Sequence, residues 1–161
     1  MMTMQKLLSY LNDHLAGSVA ALEMLSHLAD GINDSSTKAF LTDIRGEIEE
    51  DQKVLRNFMK SIGADESTIK KSGAWIMEKL TRLKFQPETD DNGFGVFEAL
   101  EGLALGIQGK LALWRALSAA GVSGGNHLNY SRLEQRAVEQ FEQVQAKCLG
   151  LAPAALQART S

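Results

Sequence analysis

The residue with the clearest capacity for chemistry is Asp51, an acid on an otherwise apolar helical face. Seven residues recur at spacings of three and four, which on a helix turning about 100° per residue places their side chains on one side. This face consists of Leu41, Ile44, Ile48, Asp51, Leu55, Phe58 and Ile62. A lone ionised carboxylate in an apolar core is costly, so it acquires a partner or takes up a proton. We therefore expect a partner for Asp51 on another helix.

His14 is the first candidate partner for Asp51. His14 and Ser18 lie on the apolar arc of the preceding helix, which we expect to fold back on the helix of Asp51 through a short turn. A symmetric turn places His14 level with Asp51, and Ser18 level with Glu47. A buried His–Asp pair would satisfy both groups through a charge-assisted hydrogen bond. Lys110, at the edge of the apolar arc of its own helix, could also approach Asp51.

Glu134 completes the set of candidate site residues, which are His14, Glu47, Asp51 and Glu134. It lies on the apolar face of the last helix, within about one turn of the other three by the same height argument. One interpretation is a self-satisfied polar network in the core. The other is a metal or small-ligand site, because three carboxylates and one imidazole suit iron, manganese or zinc. We expect no resident cofactor, with iron or manganese as the alternative, and we assign no catalytic residue.

Helices account for the regular structure of the chain. Only 2 of the 161 residues are proline, and no run alternates in the manner of a strand. The predicted helices span about residues 3–29, 35–62, 67–85, 94–120 and 128–149. Gly31 and Gly63 suit left-handed helix ends, and residues 33–36 offer oxygens to cap the second helix. Pro153 is expected to mark the start of a frayed tail.

Four of these helices match in length, and the short first and last connections make each pair antiparallel. If the medium helix over about 67–85 crosses the length of the bundle, the order is up-down-down-up. This arrangement resembles the ferritin-like superfamily over about residues 3–149. The resemblance implies a di-iron or di-manganese site at mid-bundle, built from one Glu on each of two helices and a Glu-x-x-His on each of the others. The chain contains no Glu-x-x-His.

Composition narrows the classes of partner. The length suits a single domain over residues 1–161, and the net charge of −3 comes from 17 basic and 20 acidic residues that are mixed along the chain. This mixture argues against a nucleic-acid footprint or a basic membrane-binding face. No apolar leader or membrane span is visible, so we expect a cytoplasmic protein. The one cysteine, Cys148, lies on an apolar helical face, where a thiol behaves as a small buried hydrophobe.

The helix over about 94–120 carries a second face made of small residues. The glycines on this face are Gly95, Gly102, Gly106 and Gly109. Each interior glycine costs about 1 kcal/mol relative to alanine, so we expect a close neighbour to offset the loss. That neighbour is the crossover helix or a second subunit in a symmetric homodimer.

Three functions remain open from the sequence. We favour a ferritin-like protein with a degenerate metal site and a non-catalytic or small-ligand-binding role, the ligand being unidentified. The first alternative is a carboxylate and histidine metal-binding oxidoreductase or iron-handling protein. The second is an interaction module that dimerises through the glycine face.

The protein as isolated should hold no stoichiometric transition metal, because the Glu-x-x-His pairs are missing. Elemental analysis of the purified chain should find well under one iron, manganese or zinc ion per molecule. One or two ions per chain, lost on substitution of Glu47 or Asp51, would contradict this expectation.

Overall fold

A computed structural model of the chain describes residues 3–69, 93–123 and 127–157, together with Lys71 and Glu78. These residues form no strand, and the predicted all-α class is confirmed. The long helices are α1 (Met4–Gly31), α2 (Ser35–Ser61), α3 (Phe94–Ala119) and α4 (Tyr130–Leu156). A helical turn occupies residues 66–69, but most of the helix predicted over 67–85 lies outside the described residues. In the described ranges, no helix combines the length and apolarity needed to cross a bilayer.

The predicted boundaries of α2 are close to those observed, and both have a local cause. The carboxylate of Asp34 accepts a hydrogen bond of 2.8 Å from the backbone N–H of Thr37, which satisfies one of the free donors at the start of α2. Beyond its end, Gly63 has a φ of 97°, a conformation that residues with a side chain rarely adopt.

One predicted helix cap and one predicted helix end are wrong. Gly31 is the last residue of α1, and the capping residue Ile32 has a φ of −102°, so no left-handed glycine ends this helix. Helix α4 continues through Pro153 to Leu156. Pro153 lies in the last turn, where a missing N–H removes a single ladder hydrogen bond, and Leu151 and Ala155 pack against the core on either side of it. Apolar burial therefore outweighs the local preference of proline.

The helices pack as two pairs, α1 along α2 and α3 along α4, and α1 makes a smaller contact with α3. Their apolar faces form two clusters of buried side chains. The turn-side cluster comprises Leu22, Leu25, Leu28, Leu41, Ile44, Ile48, Val96, Phe97, Ala99, Leu100, Leu103, Ala104, Ile107, Ala137, Val144 and Cys148. The far cluster comprises Leu7, Leu11, Leu15, Leu55, Phe58, Met59, Ile69, Leu113, Trp114, Leu117 and Leu133. Cys148 is thus a buried free thiol, as predicted.

The level between the two clusters is polar. On α2, Asp51 lies between Ile48 of the turn-side cluster and Leu55 of the far cluster. On α3, Lys110 lies in the same way between Ile107 and Leu113. A polar layer thus interrupts the core at mid-bundle, and every group in it needs a partner.

The N-cap of α4 is a test of how much local capping contributes to this fold. The side chain of Asn129 accepts a 3.1 Å hydrogen bond from the backbone N–H of Arg132. Asn129→Ala should therefore lower the free energy of unfolding by about 1 kcal/mol in urea titrations. Asn33→Ala is the matched control, because exposed Asn33 precedes the capping residue of α2, and it should change stability by much less. Equal losses in the two variants would contradict a capping role.

Candidate functional site

The Asp51 carboxylate accepts hydrogen bonds from three side chains on two other helices. Its Oδ2 accepts from Lys110 Nζ of α3 at 2.7 Å and from Gln140 Nε2 of α4 at 2.9 Å. Its Oδ1 accepts from Arg136 Nε of α4 at 2.9 Å. Lys110 Nζ also donates to Gln140 Oε1, which closes the network. Asp51 is 4% exposed, so this buried acid has the partners that its position requires.

Two cations share this one buried carboxylate. Burial lowers the pKa of Lys110, and the attraction of Asp51 offsets this effect only in part. Burial also opposes the charge on Arg136, but Asp51 and Glu50 together raise its pKa. The pair between Arg136 and Glu50 spans 3.3 Å, and Glu50 is largely exposed, so solvent weakens it. The ammonium of Lys110 is therefore the least compensated charge of the network.

The predicted contact between His14 and Asp51 is wrong, because Lys110, Arg136 and Gln140 take the hydrogen bonds of Asp51. Across the hairpin, Ser18 bonds with Gln52 at 2.9 Å, about one turn further along α2 than the Glu47 that a symmetric turn predicts. Side chains on both helices lean toward their own N-termini, which moves the contacting residues later in the partner helix. His14 instead packs edge-on against Tyr10, with ring centroids 4.9 Å apart, and burial lowers its pKa.

Glu134 lies outside the Asp51 network, whereas Glu47, one turn before Asp51 on α2, is near enough to attract Lys110. Glu134 pairs with Arg115 of α3 at 3.4 Å. Glu47 contributes its backbone carbonyl, which accepts from Arg136 Nη2 at 3.4 Å. Within the described ranges, no three His, Cys, Asp or Glu side chains stand close enough together to hold a metal ion. The metal role of the four candidate residues stays a prediction for elemental analysis.

The sequence analysis did not identify Arg136 or Gln140 as site residues, although the position of Gln140 on its helix indicates a buried polar group. It occupies the apolar face of α4, which is formed by Leu133, Ala137, Gln140, Val144 and Cys148. A buried polar residue on that face needs a hydrogen-bond partner, as Asp51 does on α2, and the two side chains bond to each other. Arg136 lies beside this face and reaches in from the bundle edge, with 26% of its side chain exposed.

A cavity of about 550 Å³ opens beside the network, between α1 and α3, with α2 as its floor. Its lining runs from His14 to His27 on α1, a distance of about 20 Å at ~1.5 Å per residue. The mainly apolar part is lined by Ala20, Ala21, Met24, Ile48, Leu103 and Ile107, and exposed Glu23 and His27 also line the cavity toward the end of α1. The polar end is lined by His14, Ser18, Asp51, Gln52, Lys110 and Trp114. The volume falls in the range typical of small-molecule sites.

Small residues make room for this cavity. Gly17 of α1 and Gly102 and Gly106 of α3 line it, and a Cβ added at any of them would meet nothing within 4 Å. Gly102 and Gly106 are exposed. No described helix covers them, and most of the crossover helix, one of the two neighbours predicted for this face, lies outside the described residues. A second subunit at this face stays a prediction.

The polar end of the cavity has one donor to spare, on Lys110. An ammonium carries three N–H groups, and two of those on Lys110 are used by Asp51 and Gln140. The indole N–H of Trp114 also has no acceptor among the residues that the structure describes, but this nitrogen is buried and is not exposed to the cavity. Unpaired buried donors are unusual in folded proteins. This end of the cavity therefore suits a ligand that accepts hydrogen bonds.

Comparison of the chain with protein-family models, curated proteins and solved structures finds no match. The interpretation of the site therefore depends on its own geometry.

Double-mutant cycles distinguish the observed partner of Asp51 from the one predicted. Asp51→Leu and Lys110→Met should couple by about 0.5–3 kcal/mol in urea unfolding, because contacting residues do not act independently. Asp51→Leu alone should cost about 3–5 kcal/mol, since it leaves two cations without their shared carboxylate. The matched cycle of Asp51→Leu with His14→Leu should be additive within error. Coupling in the His14 cycle and additivity in the Lys110 cycle would contradict the network.

Proposed function

We propose that the chain is a ferritin-like four-helix bundle that binds a small molecule in the cavity between α1 and α3, in place of a metal centre. The observation that carries this proposal is the cavity itself, which is elongated and mainly apolar, with a group of polar side chains around Lys110. Interhelical clefts with a few convergent polar groups are common ligand sites in bundles. The role that follows is binding, with no catalytic residue assigned.

The distribution of core residues supports the ferritin-like order of the helices. From their first to their last residues, α2 and α3 both pass from the turn-side cluster to the far cluster. Helices α1 and α4 pass between the same clusters in the opposite direction. An up-down-down-up bundle with a long connection between α2 and α3 has this distribution.

The chemistry of the polar layer supports a ligand other than a metal ion. In this superfamily the mid-bundle site is built from carboxylates and imidazoles on facing helices. Here Asp51 is already bonded by two cations and an amide, and a carboxylate in that state offers little to a metal ion. Its cations repel a divalent ion. Lys110, in contrast, remains accessible from the cavity.

A cavity-filling substitution tests the proposal. Gly106→Leu adds a side chain whose Cβ has open space, so the fold should tolerate it while the cavity becomes smaller. Binding of the fluorophore anilinonaphthalene sulfonate, followed by its emission, should show about one site per chain. Gly106→Leu should weaken that site by about tenfold or more, equivalent to at least ~1.4 kcal/mol.

Gly46→Leu is the matched control, because Gly46 is an exposed helical glycine with open space at its Cβ and does not line the cavity. It should leave the fluorophore affinity unchanged. Thermal unfolding of both variants establishes that each is folded. Equal affinity in the unmodified chain and folded Gly106→Leu would rule out this cavity as the binding site.

A further inference from the structure

The polar end of the cavity distinguishes between classes of ligand. Lys110 lines the cavity, yet its ammonium is mostly withdrawn from water, with 17% of the side chain exposed. The acid that neutralises it, Asp51, also serves Arg136. Three of the four lone-pair positions of that carboxylate are taken by donors. The ammonium therefore gains from a second anion, and the cavity is the side from which one can arrive.

We propose that the cavity binds an apolar monocarboxylate, with the carboxylate at Lys110 and the hydrocarbon body along the groove between α1 and α3. This inference rests on the proposed function and specifies its ligand. The free N–H of Lys110 donates to one carboxylate oxygen. Trp114, one helical turn further along α3, lines the same end of the cavity.

The shape and lining of the groove fit the body of such a ligand. From the level of Lys110, the groove runs past Ile107, Leu103 and Met24 toward the end of α1. Gly102 and Gly106 keep its wall on α3 flat, and Ala20 and Ala21 do the same on α1. The length of the lining, about 20 Å along α1, accommodates an extended hydrocarbon chain. Burial of such a chain stabilises binding by about 0.8 kcal/mol per methylene.

The charges around the polar end favour one negative charge on the ligand. Lys110 and Arg136 contribute two positive charges and Asp51 one negative charge. Glu50 is largely exposed to water, which screens it, and Glu47 adds a weaker attraction on Lys110. Burial lowers the pKa of His14, which favours its neutral form at the same end of the cavity. A ligand ammonium would meet Lys110 and be repelled, and a hydroxyl would add no negative charge beside the Lys110 ammonium, which already shares Asp51 with Arg136.

Three probes with the same body test the head group on the unmodified protein: decanoate, decanol and decylamine. Isothermal titration calorimetry at neutral pH should give decanoate a dissociation constant about tenfold lower than that of decanol, because a charge-assisted hydrogen bond is roughly twice as strong as a neutral one. Decylamine should bind most weakly. Equal affinity for decanol and decanoate would overturn the carboxylate assignment and leave the small-molecule cavity standing. Failure of all three probes to bind would overturn both.

Lys110→Met tests the residue, because methionine keeps an apolar stem and removes the charge. This variant should lose the preference for decanoate and keep its affinity for decanol within about threefold, since the groove is unchanged. Lys53→Met, which removes an exposed lysine of α2, is the matched control and should keep the full preference. A folded Lys110→Met protein that still prefers decanoate tenfold would overturn the proposal. If Lys110→Met does not fold, the comparison of head groups on the unmodified chain decides the matter.

Discussion

The hydrogen bonds on the Asp51 carboxylate connect three of the four long helices at the middle of the bundle. Asp51 belongs to α2, Lys110 to α3, and Arg136 and Gln140 to α4. The apolar contacts in the clusters on either side of this layer are non-directional. They therefore tolerate small shifts of one helix along another. The polar layer has fixed donor and acceptor positions, and a shift by one turn would leave a buried charge without its partner. The register of α2 against α3 and α4 therefore depends on this acid.

Helix α1 lies outside that network, and the cavity follows from this. Helix α1 is joined to α2 by side-chain hydrogen bonds from Gln52 to Ser18 and from Arg45 to Ser26, the second at 2.7 Å. Toward α3 it presents Gly17 and small alanines, which face the glycines of α3 across open space. Glycine in a helix interior costs stability relative to alanine, and nothing in the described part of the chain recovers that cost by packing against Gly102 and Gly106. Residues that lower stability and lie beside a polar pocket, such as these glycines, are expected of a binding site rather than of a packed core.

The sequence predicts the helices well and the site only in part, and the difference has a physical basis. Periodicity and capping are local, so the extents of α2 and α3 follow from short stretches of sequence. The need of Asp51 for a partner also follows from its own helix. The choice of partner depends on the offset between helices, and side-chain tilt moves that offset by a turn, which excludes His14. Arg136 reaches Asp51 from a position that helical periodicity assigns to the edge of the bundle, whereas Gln140 lies on the apolar face of α4 and is recognisable there.

The end of α4 also shows that local sequence signals can be overridden by tertiary packing. Proline is a strong local signal for ending a helix, yet the apolar residues around Pro153 pack against the turn-side cluster and the helix continues. Tertiary burial decides this case. Local signals are thus reliable where a segment is exposed, as at Asp34 and Gly63, and yield where apolar side chains have a core to join.

A crystal structure of the protein grown with decanoate tests this arrangement most directly. The hydrocarbon chain should lie in the groove between α1 and α3, with a carboxylate oxygen within about 3.2 Å of Lys110 Nζ. Asp51 should still accept hydrogen bonds from Arg136 and Gln140. Decanoate bound elsewhere, or a metal ion bound by Asp51 with the Lys110 ammonium displaced, would contradict the claim that this polar layer holds the bundle together and leaves one cation for a ligand.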